Sequence, residues 1–325
     1  MAESASCGTP SRSLLAIVVG TTRATQASED LVTIAVSVKV GEGLVMAADS
    51  TSSYMEEGVL VQSYHHARKL LQLKDYPIGI LTYGLGDISG RNLESLLAEF
   101  ERQVPPHGDD RAYTVRGVAE MVHEFIGTKY DAVFPPPAVL PLAPDENAAQ
   151  PDPAAEPPVA VIPDKRPGLG VVVGGYSRAE FFPDEFEFRL PAQRPTEIWP
   201  DPEDGKQQYG VRWWGQTAPI ERLYLGCDTE AIQWFVENGV SEADAVQYYV
   251  QLRHRLAWPI IYEGMPIQDA IDLAVYLVNV TIGHSRFAVG PPVCGGHIDV
   301  ATVTSRGFRW IKRKDWVVKS DSVFF

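Results

Sequence analysis

One stretch of this 325-residue chain, TIAVSVKVGEGLVMAADS at residues 33–50, constrains the fold more than any other. Over its first part, TIAVSVKV, apolar side chains occupy every second position, which is typical of a β-strand with one face in a core. A Gly-Glu-Gly turn follows, and residues 44–48 are apolar up to Asp49. Because glycines between two such segments favour a sharp reversal, the stretch predicts a β-hairpin.

The remaining periodicities place strands and helices in separate blocks. A polar loop is expected after the hairpin, then strands, two helices, strands, three helices and two final strands. This order is typical of an α+β protein in which two sheets carry helices on their outer faces, and not of a doubly wound fold. The predicted strands are 68–73, 78–83, 168–175, 180–190, 209–214, 297–304 and 308–312, and the predicted helices centre on 93–100, 118–126, 229–236, 243–256 and 267–282.

Composition divides the chain into one expected domain and several irregular segments. Residues 1–30 are rich in Ser, Thr and Ala without periodicity and are interpreted as a flexible leader. Residues 31–316 are expected to form a single domain with Pro-rich insertions at 134–167 and 191–208, the first too poor in apolar residues to be ordered. An interdomain linker is the alternative for the first insertion, but neither half alone contains a complete sheet with its covering layers. Residues 317–325 are expected to be a tail.

The charge balance excludes several classes of partner. With 42 acidic against 28 basic residues the formal net charge is −14, whereas nucleic acids and anionic membranes bind clustered Lys and Arg. One short basic run, residues 312–314, is interpreted as solvated surface. The apolar run at 14–19 is too short to cross a bilayer. We therefore expect no nucleic-acid partner and no membrane partner.

Cysteine and histidine usage predicts neither a disulfide framework nor a metal site. Cys7, Cys227 and Cys294 are an odd number without CxxC spacing, which suits a reducing compartment. His65 and His66 are adjacent, so on a strand they would face opposite ways, and no third ligand accompanies them. We expect a cytoplasmic protein without metal or cofactor.

Five segments, in order, resemble proteasome β subunits and their bacterial ring-protease relatives. Residues 33–50 are similar to the opening strands of that family, 69–72 (KLLQ) to its Lys-Leu segment, and 83–87 (YGLGD) to its Gly-rich strand end. Residues 168–175 (GLGVVVGG) are similar to the strand that opens the second sheet, and 294–301 (CGGHIDVA) to a Ser-Gly-Gly segment entering a late strand. The resemblance implies a four-layer αββα sandwich of the N-terminal-nucleophile hydrolase type.

The resemblance also implies roles for four residues. Thr33 would be the nucleophile, with its own free α-amine as base after removal of the leader. Lys69 would lower the pKa of the nucleophilic system, and Asp49 would keep Lys69 charged and oriented. The main-chain amide of Gly84 would form the oxyanion hole. Taken singly, these residues have ordinary explanations as a strand start, a surface charge, a strand-end cap and a turn.

Three positions depart from the family pattern and count against activity. Counting back from the Gly-Gly pair, the supporting Asp and Ser of the family fall on Pro291 and Cys294, and a proline cannot orient an amine. Cys294 is interpreted as a small buried residue rather than as an alternative nucleophile. Self-processing needs a tight turn that glycine permits, but Val32 precedes Thr33 here. We expect the leader to stay attached unless a separate protease removes it.

Two functional hypotheses follow from these residues. The first is a proteasome-like threonine-type peptidase or amide hydrolase that degrades peptide or protein substrates without a cofactor, assembled as a homo-oligomeric ring. The alternative is a non-catalytic structural or regulatory subunit with the same fold. Amide hydrolysis on a small molecule, within the wider superfamily, is a third hypothesis. A free N-terminus at Thr33 would favour the hydrolase over the non-catalytic subunit.

Overall fold

A computed structural model describes residues 33–56, 59–74, 76–103, 113–137, 164–200, 208–261 and 264–314. Within these residues the protein is α+β, with antiparallel sheets and helices. The predicted leader, most of the first Pro-rich insertion, residues 201–207 of the second insertion and the predicted tail lie outside the described residues.

The strands and helices largely follow the predicted blocks. The helices are α1 Leu93–Gln103, α2 Val115–Val133, α3 Ala218–Leu225, α4 Glu230–Glu237, α5 Glu242–Leu256 and α6 Ile267–Phe287. The strands are β1 Ile34–Val40, β2 Gly43–Ala48, β3 Ser52–Glu56, β4 Val59–Tyr64, β5 Leu70–Leu73, β6 Ile78–Gly84, β7 Asp87–Ile88, β8 Arg91–Asn92, β9 Leu169–Gly175, β10 Asp184–Leu190, β11 Gln193–Glu197, β12 Gly210–Gly215, β13 Asp299–Thr304 and β14 Gly307–Lys312.

Two five-stranded antiparallel sheets form the centre of the protein. The first sheet has the order β12-β1-β2-β13-β14, and the second has the order β11-β10-β9-β6-β5. The β1–β2 hairpin predicted from the sequence is confirmed, with Val40 paired to Gly43 at the turn. Strands β3 and β4 pair with each other, and so do β7 and β8.

The central strands are buried on both faces, which accounts for their near-continuous apolar sequences. In β1, Ile34 and Val36 belong to a core shared with α3 and α6, whereas Ala35 faces the second sheet. The outer face of the second sheet packs on α1 and α2. A third core, which includes Met46 and Leu81, lies between the sheets. Burying each large aliphatic side chain contributes about 1.5–3 kcal/mol, so the three cores hold the two sheets and their helices together.

The assignment of strands to sheets differs from the sequence prediction. The resemblance placed the opening of the second sheet at residues 168–175, but β5 and β6 already belong to that sheet. The first sheet is completed instead by β12, β13 and β14 from the second half of the chain. Local periodicity identifies a strand but not its partner, because pairing depends on contacts between distant segments.

Several elements lie where the sequence predicted loops or no element. The polar loop after the hairpin contains β3 and β4, and α3 was not predicted. Residues 193–197, inside the second Pro-rich insertion, form β11. This strand is at the edge of its sheet and its register with β10 is irregular. The register leaves Pro195 without a paired residue on β10, and an edge strand tolerates proline because it needs no amide proton there.

Candidate active site

Asp49 lies directly after β2 and is 1% exposed. The hairpin register pairs Ala35 with Ala48, which brings Asp49 beside Ile34, the residue that follows Thr33. The Asp49 amide donates to the Ile34 carbonyl at 3.1 Å, and the Ile34 amide donates to Asp49 Oδ1 at 3.1 Å. The hairpin therefore fixes a buried carboxylate one residue away from the predicted nucleophile.

The Asp49 carboxylate has a counter-ion and two further backbone donors. Lys69 Nζ donates to Asp49 Oδ1 at 2.7 Å, and the Lys69 residue is 7% exposed. The amides of Thr51 and Gly295 donate to Oδ2 at 3.1 and 3.0 Å. Removing one partner of a buried, hydrogen-bonded ion pair typically costs about 3–5 kcal/mol, because the other charge then stays buried without compensation. Asp49 and Lys69 thus depend on each other.

The backbone at Lys69 and directly after it is anchored by the pairing of β5 with β6. Lys69 directly precedes β5, and its carbonyl accepts a hydrogen bond from the Thr82 amide of β6 at 2.8 Å. The β5–β6 pair, with Leu70 opposite Leu81, belongs to the second sheet. The Asp49–Lys69 ion pair therefore connects the first sheet to the second.

Thr33 is 2% exposed and directly precedes β1. Its carbonyl accepts a hydrogen bond from the Gln216 amide at 2.7 Å. A Cβ atom on Gly215 would lie 1.9 Å from the Thr33 carbonyl oxygen, so only glycine permits this approach of the two backbones. Val32 precedes Thr33 in the sequence, so in the uncleaved chain the Thr33 nitrogen is part of a peptide bond.

Gly84 ends β6 with φ +83°. A Cβ atom there would lie 2.3 Å from the Gly168 carbonyl oxygen, which already accepts a hydrogen bond from the Leu85 amide at 2.8 Å. Both the positive φ and this close approach require glycine. Gly84 lies two residues beyond Thr82, the residue that is hydrogen-bonded to Lys69. The structure thus joins Asp49 to Lys69 directly and Thr33 to them through the Ile34 amide, whereas Gly84 stands at the end of the neighbouring strand.

The segment predicted to carry the supporting Asp and Ser is built around a different residue. Ser285 of α6 is 7% exposed, and its Oγ accepts hydrogen bonds from the amides of Val293 at 2.8 Å and Cys294 at 3.0 Å. Ser285 was not among the residues predicted from the sequence. Its signal was a polar side chain on the buried face of α6, which is otherwise lined largely by apolar residues.

Cys294 is 3% exposed, which agrees with its interpretation as a buried residue. Burial raises the pKa of the Cys294 thiol far above its ordinary value, and the nearby Asp49 carboxylate raises it further, against the opposing effect of Lys69. The thiol is therefore protonated at neutral pH. A protonated, buried thiol is a poor nucleophile, which agrees with the interpretation of Cys294 as a small buried residue.

The two adjacent histidines, His65 and His66, make separate contacts. His65 Nδ1 lies 3.2 Å from the Thr51 hydroxyl, and the rings of His66 and His297 stack at 5.7 Å. In the described ranges no cluster of three or more His, Cys, Asp or Glu could hold a metal ion.

The interpretation of residues 312–314 as solvated surface is wrong for Lys314, whose side chain is 6% exposed and ion-paired with Asp299. The buried carboxylate of Asp299, the first residue of β13, pairs with this lysine and withdraws it from solvent.

Comparisons with known proteins give little beyond this description. No protein-family model matches the chain, and no curated protein matches it. One solved structure similar to it is the Anbu (Gly-1) mutant from Hyphomicrobium sp. strain MC1, with a TM-score of 0.45 and 13% sequence identity, covering 87% of this chain and 86% of the other. None of the helices in the described part of the chain has the length and apolarity needed to cross a membrane.

Proposed function

We propose that this chain is a proteasome-type N-terminal-nucleophile hydrolase that cleaves peptide or amide bonds with Thr33, once Thr33 has become the N-terminus. One observation carries the proposal. The buried Asp49–Lys69 ion pair binds the backbone amide of Ile34, directly beside Thr33. A charged pair of this kind is costly to bury, and its position one residue from a buried threonine is explained if it serves the chemistry of that threonine.

The proposal includes a single domain with the four-layer αββα architecture. Its support is the packing of α1 and α2 on the outer face of the second sheet and of α3 and α6 on the outer face of the first. The two sheets meet in the third core. In such an architecture the ends of strands from both sheets can supply one site, as β2 and β5 do here for Asp49 and Lys69.

In the proposed reaction, the Thr33 hydroxyl gives its proton to the Thr33 α-amine and attacks the substrate carbonyl carbon. The positive charge of the Lys69 ammonium stabilises the negative charge that develops on the Thr33 hydroxyl oxygen, and Asp49 holds that ammonium in place. The Gly84 amide stabilises the negative oxygen of the tetrahedral intermediate. The C–N bond of the substrate then breaks, and the amine part of the substrate leaves with the proton held by the Thr33 α-amine. Water then hydrolyses the ester between the acyl group and Thr33.

The non-catalytic subunit is the second candidate, and specific observations favour it. A peptide nitrogen cannot accept the proton, so the chain has no base while Val32 is attached. The Ser285 hydroxyl accepts from the amides of Val293 and Cys294, and Pro291 supplies no carboxylate at the place predicted for one. Val32 is β-branched and disfavours the turn needed for self-cleavage.

A pair of proteins that differ by one residue separates the two candidates. An N-terminal fusion that is cleaved without leaving extra residues would yield one protein that begins at Thr33 and a matched control that begins at Val32. We expect only the first to hydrolyse members of a fluorogenic panel of peptides and small amides, and only the first to be acylated on Thr33 by a β-lactone probe. Intact-mass measurement locates the acyl group. A folded Thr33-initiated protein that is inactive and unlabelled would support the non-catalytic candidate.

The proposal extends to assembly as a homo-oligomeric ring, which cyclic symmetry closes by repeating one interface. Light scattering on the full chain and on the Thr33-initiated protein tests this extension. A species several times the mass of one chain is expected, and a monomer at high concentration contradicts the ring.

A further inference from the structure

A second buried ion pair lies beside the candidate site. Lys314 Nζ donates to Asp299 Oδ2 at 2.8 Å, and the two side chains are 6% and 3% exposed. The same ammonium donates to Ser50 Oγ at 2.7 Å and to the Ala67 carbonyl. A lysine ammonium has three N–H donors, so these acceptors satisfy all of them. Lys314 is thus fixed as fully as a buried ammonium can be.

The acceptors of Lys314 belong to the segments that carry the candidate site. Ser50 follows Asp49 in the chain, and Ala67 lies two residues before Lys69. The Ala67 amide donates to the Ser50 carbonyl at 2.9 Å, which ties these two segments together.

A third segment, which includes Gly295, is tied to the same place. The Ser50 amide donates to the Gly295 carbonyl at 3.0 Å, and the Gly295 amide in turn binds Asp49 at 3.0 Å. Ser50 Oγ also donates to the His297 carbonyl at 2.6 Å. One ammonium therefore lies at the junction of the three chain segments that hold the Asp49 carboxylate and its counter-ion.

Electrostatics indicates that the two buried lysines are neighbours. Burial lowers the pKa of Lys314, Asp299 opposes this change, and the positive charges of Arg68 and Lys69 lower the pKa further. Holding a second cation near the first is unfavourable in itself. Its retention is explained by the hydrogen bonds that it makes to Ser50 and Ala67.

We propose that Lys314 is a positioning residue of the candidate active site. Its hydrogen bonds reach neither Asp49 nor the predicted nucleophile Thr33. They hold Ser50 and Ala67, and so fix the backbone of the segments that carry Asp49 and Lys69. Its effect on catalysis rests on the function proposed above. Its effect on the geometry of the Asp49 carboxylate does not.

The test compares Lys314→Met with Lys312→Met, which changes an exposed lysine two residues away. Hydrogen exchange, read at single amides by fragmentation mass spectrometry, reports on Ile34, Thr51 and Gly295, the amides bound to Asp49. For Lys314→Met we expect exchange at these amides at least about tenfold faster, with no change at a distant amide such as Val115. Lys312→Met should match the wild type at all four.

In the Thr33-initiated protein, kcat of Lys314→Met should fall on the order of 10- to 100-fold, because misplacing catalytic groups by about 1 Å has that effect. KM should change by less than about twofold, since Lys314 is not expected to touch substrate. If the wild-type protein proves inactive, the proposed function fails, and the exchange measurement alone decides the positioning role. Equal exchange in Lys314→Met and Lys312→Met would overturn the proposal.

Lys314→Met leaves Asp299 buried without its counter-ion and can unfold the protein for that reason. The double variant Asp299→Asn/Lys314→Met removes both charges and is the variant to use in that case. If it folds and still exchanges rapidly at Ile34, Thr51 and Gly295, the positioning role is supported. If it restores wild-type exchange, the defect came from the bare Asp299 charge, and the proposal is wrong.

Discussion

Asp49 and Glu185 are both buried, at 1% and 0% exposure, yet their surroundings differ. Asp49 stands at the end of a strand with the Lys69 ammonium at 2.7 Å and three backbone amides on its oxygens. Glu185 lies in β10 and accepts from uncharged groups, the Ser37 hydroxyl at 2.5 Å and the Trp199 indole at 2.6 Å. Burial raises the pKa of Glu185, against the lowering effects of these two donors and of the more distant Lys39 and Arg212.

The comparison teaches that burial alone does not decide what a carboxyl group can do. Asp49 is held by a bonded counter-ion, so its negative charge is built into the site beside Thr33. Glu185 has hydrogen bonds that suit a neutral acid almost as well, because a hydroxyl such as Ser37 can either donate or accept. We interpret Asp49 as part of the candidate active site and Glu185 as a polar element of the packing between the sheets.

The largest expected effect comes from replacing Asp49 by asparagine, its isosteric amide. Asp49→Asn should lower the free energy of unfolding by about 3–5 kcal/mol, because Lys69 stays buried without its counter-charge. Urea unfolding at neutral pH measures the loss. The control is Asp49→Asn/Lys69→Met, which removes both charges and should recover most of the stability. If Asp49→Asn is no more harmful than Glu185→Gln, the distinction between the two carboxyl groups is wrong.

Glu185→Gln should show its effect through pH. The folded-state pKa of Glu185 is raised above the ordinary 4.5, so the folded protein binds more protons than the unfolded chain above about that pH. The wild type should therefore lose stability relative to Glu185→Gln as pH rises, until the raised pKa is passed. Each pKa unit corresponds to about 1.4 kcal/mol. Unfolding curves between about pH 4 and pH 8 measure the difference, and a constant difference would contradict the raised pKa.

Arg253 extends the comparison to a partly buried cation, two of whose nitrogen atoms are buried without a hydrogen-bond partner among the described residues. Its Nε and Nη2 atoms are buried and have no hydrogen-bond partner in the described residues, although the guanidinium lies over the Tyr249 ring at 5.0 Å. Arg253→Met should leave stability unchanged or raise it by about 1 kcal/mol, because an unsatisfied buried donor carries a desolvation cost. Arg255→Met, at an exposed position of the same helix, is the matched control. A loss above about 2 kcal/mol for Arg253→Met alone would show that the guanidinium has a stabilising partner.

The smallest effect concerns the relative reactivity of two cysteines, and its test needs no substitution. Cys294 is buried, and burial strongly raises the pKa of its thiol. Cys227 is partly exposed, and burial also raises the pKa of its thiol. Iodoacetamide at mildly alkaline pH should therefore alkylate Cys227 well before Cys294 in the folded protein. Peptide mass spectrometry gives both rates. Alkylation of Cys294 as fast as Cys227 would show that the site is open to solvent.

Local sequence determined the hairpin and the pair of residues that it brings together. Alternation and turn glycines predicted β1 and β2, and an antiparallel reversal of that length places Asp49 beside Ile34 whatever the rest of the chain does. The helical blocks were predicted for the same reason, since their periodicity is local. The contact of Lys69 with Asp49 was implied by a resemblance, and the ion pair is present. The catalytic roles of these residues stay predictions.

Tertiary structure decided the features that depend on distant segments. Periodicity did not show that β5 and β6 join the second sheet, or that β11 would form at an edge that tolerates Pro195. It also did not show that Lys314 is buried, because its acceptors Ser50 and Ala67 lie 264 and 247 residues away in the chain. A lysine in a short basic run looks like solvated surface until the fold supplies a buried carboxylate beside it. Burial and pairing are properties of the packed chain, and a local pattern specifies them only where the partner is also local.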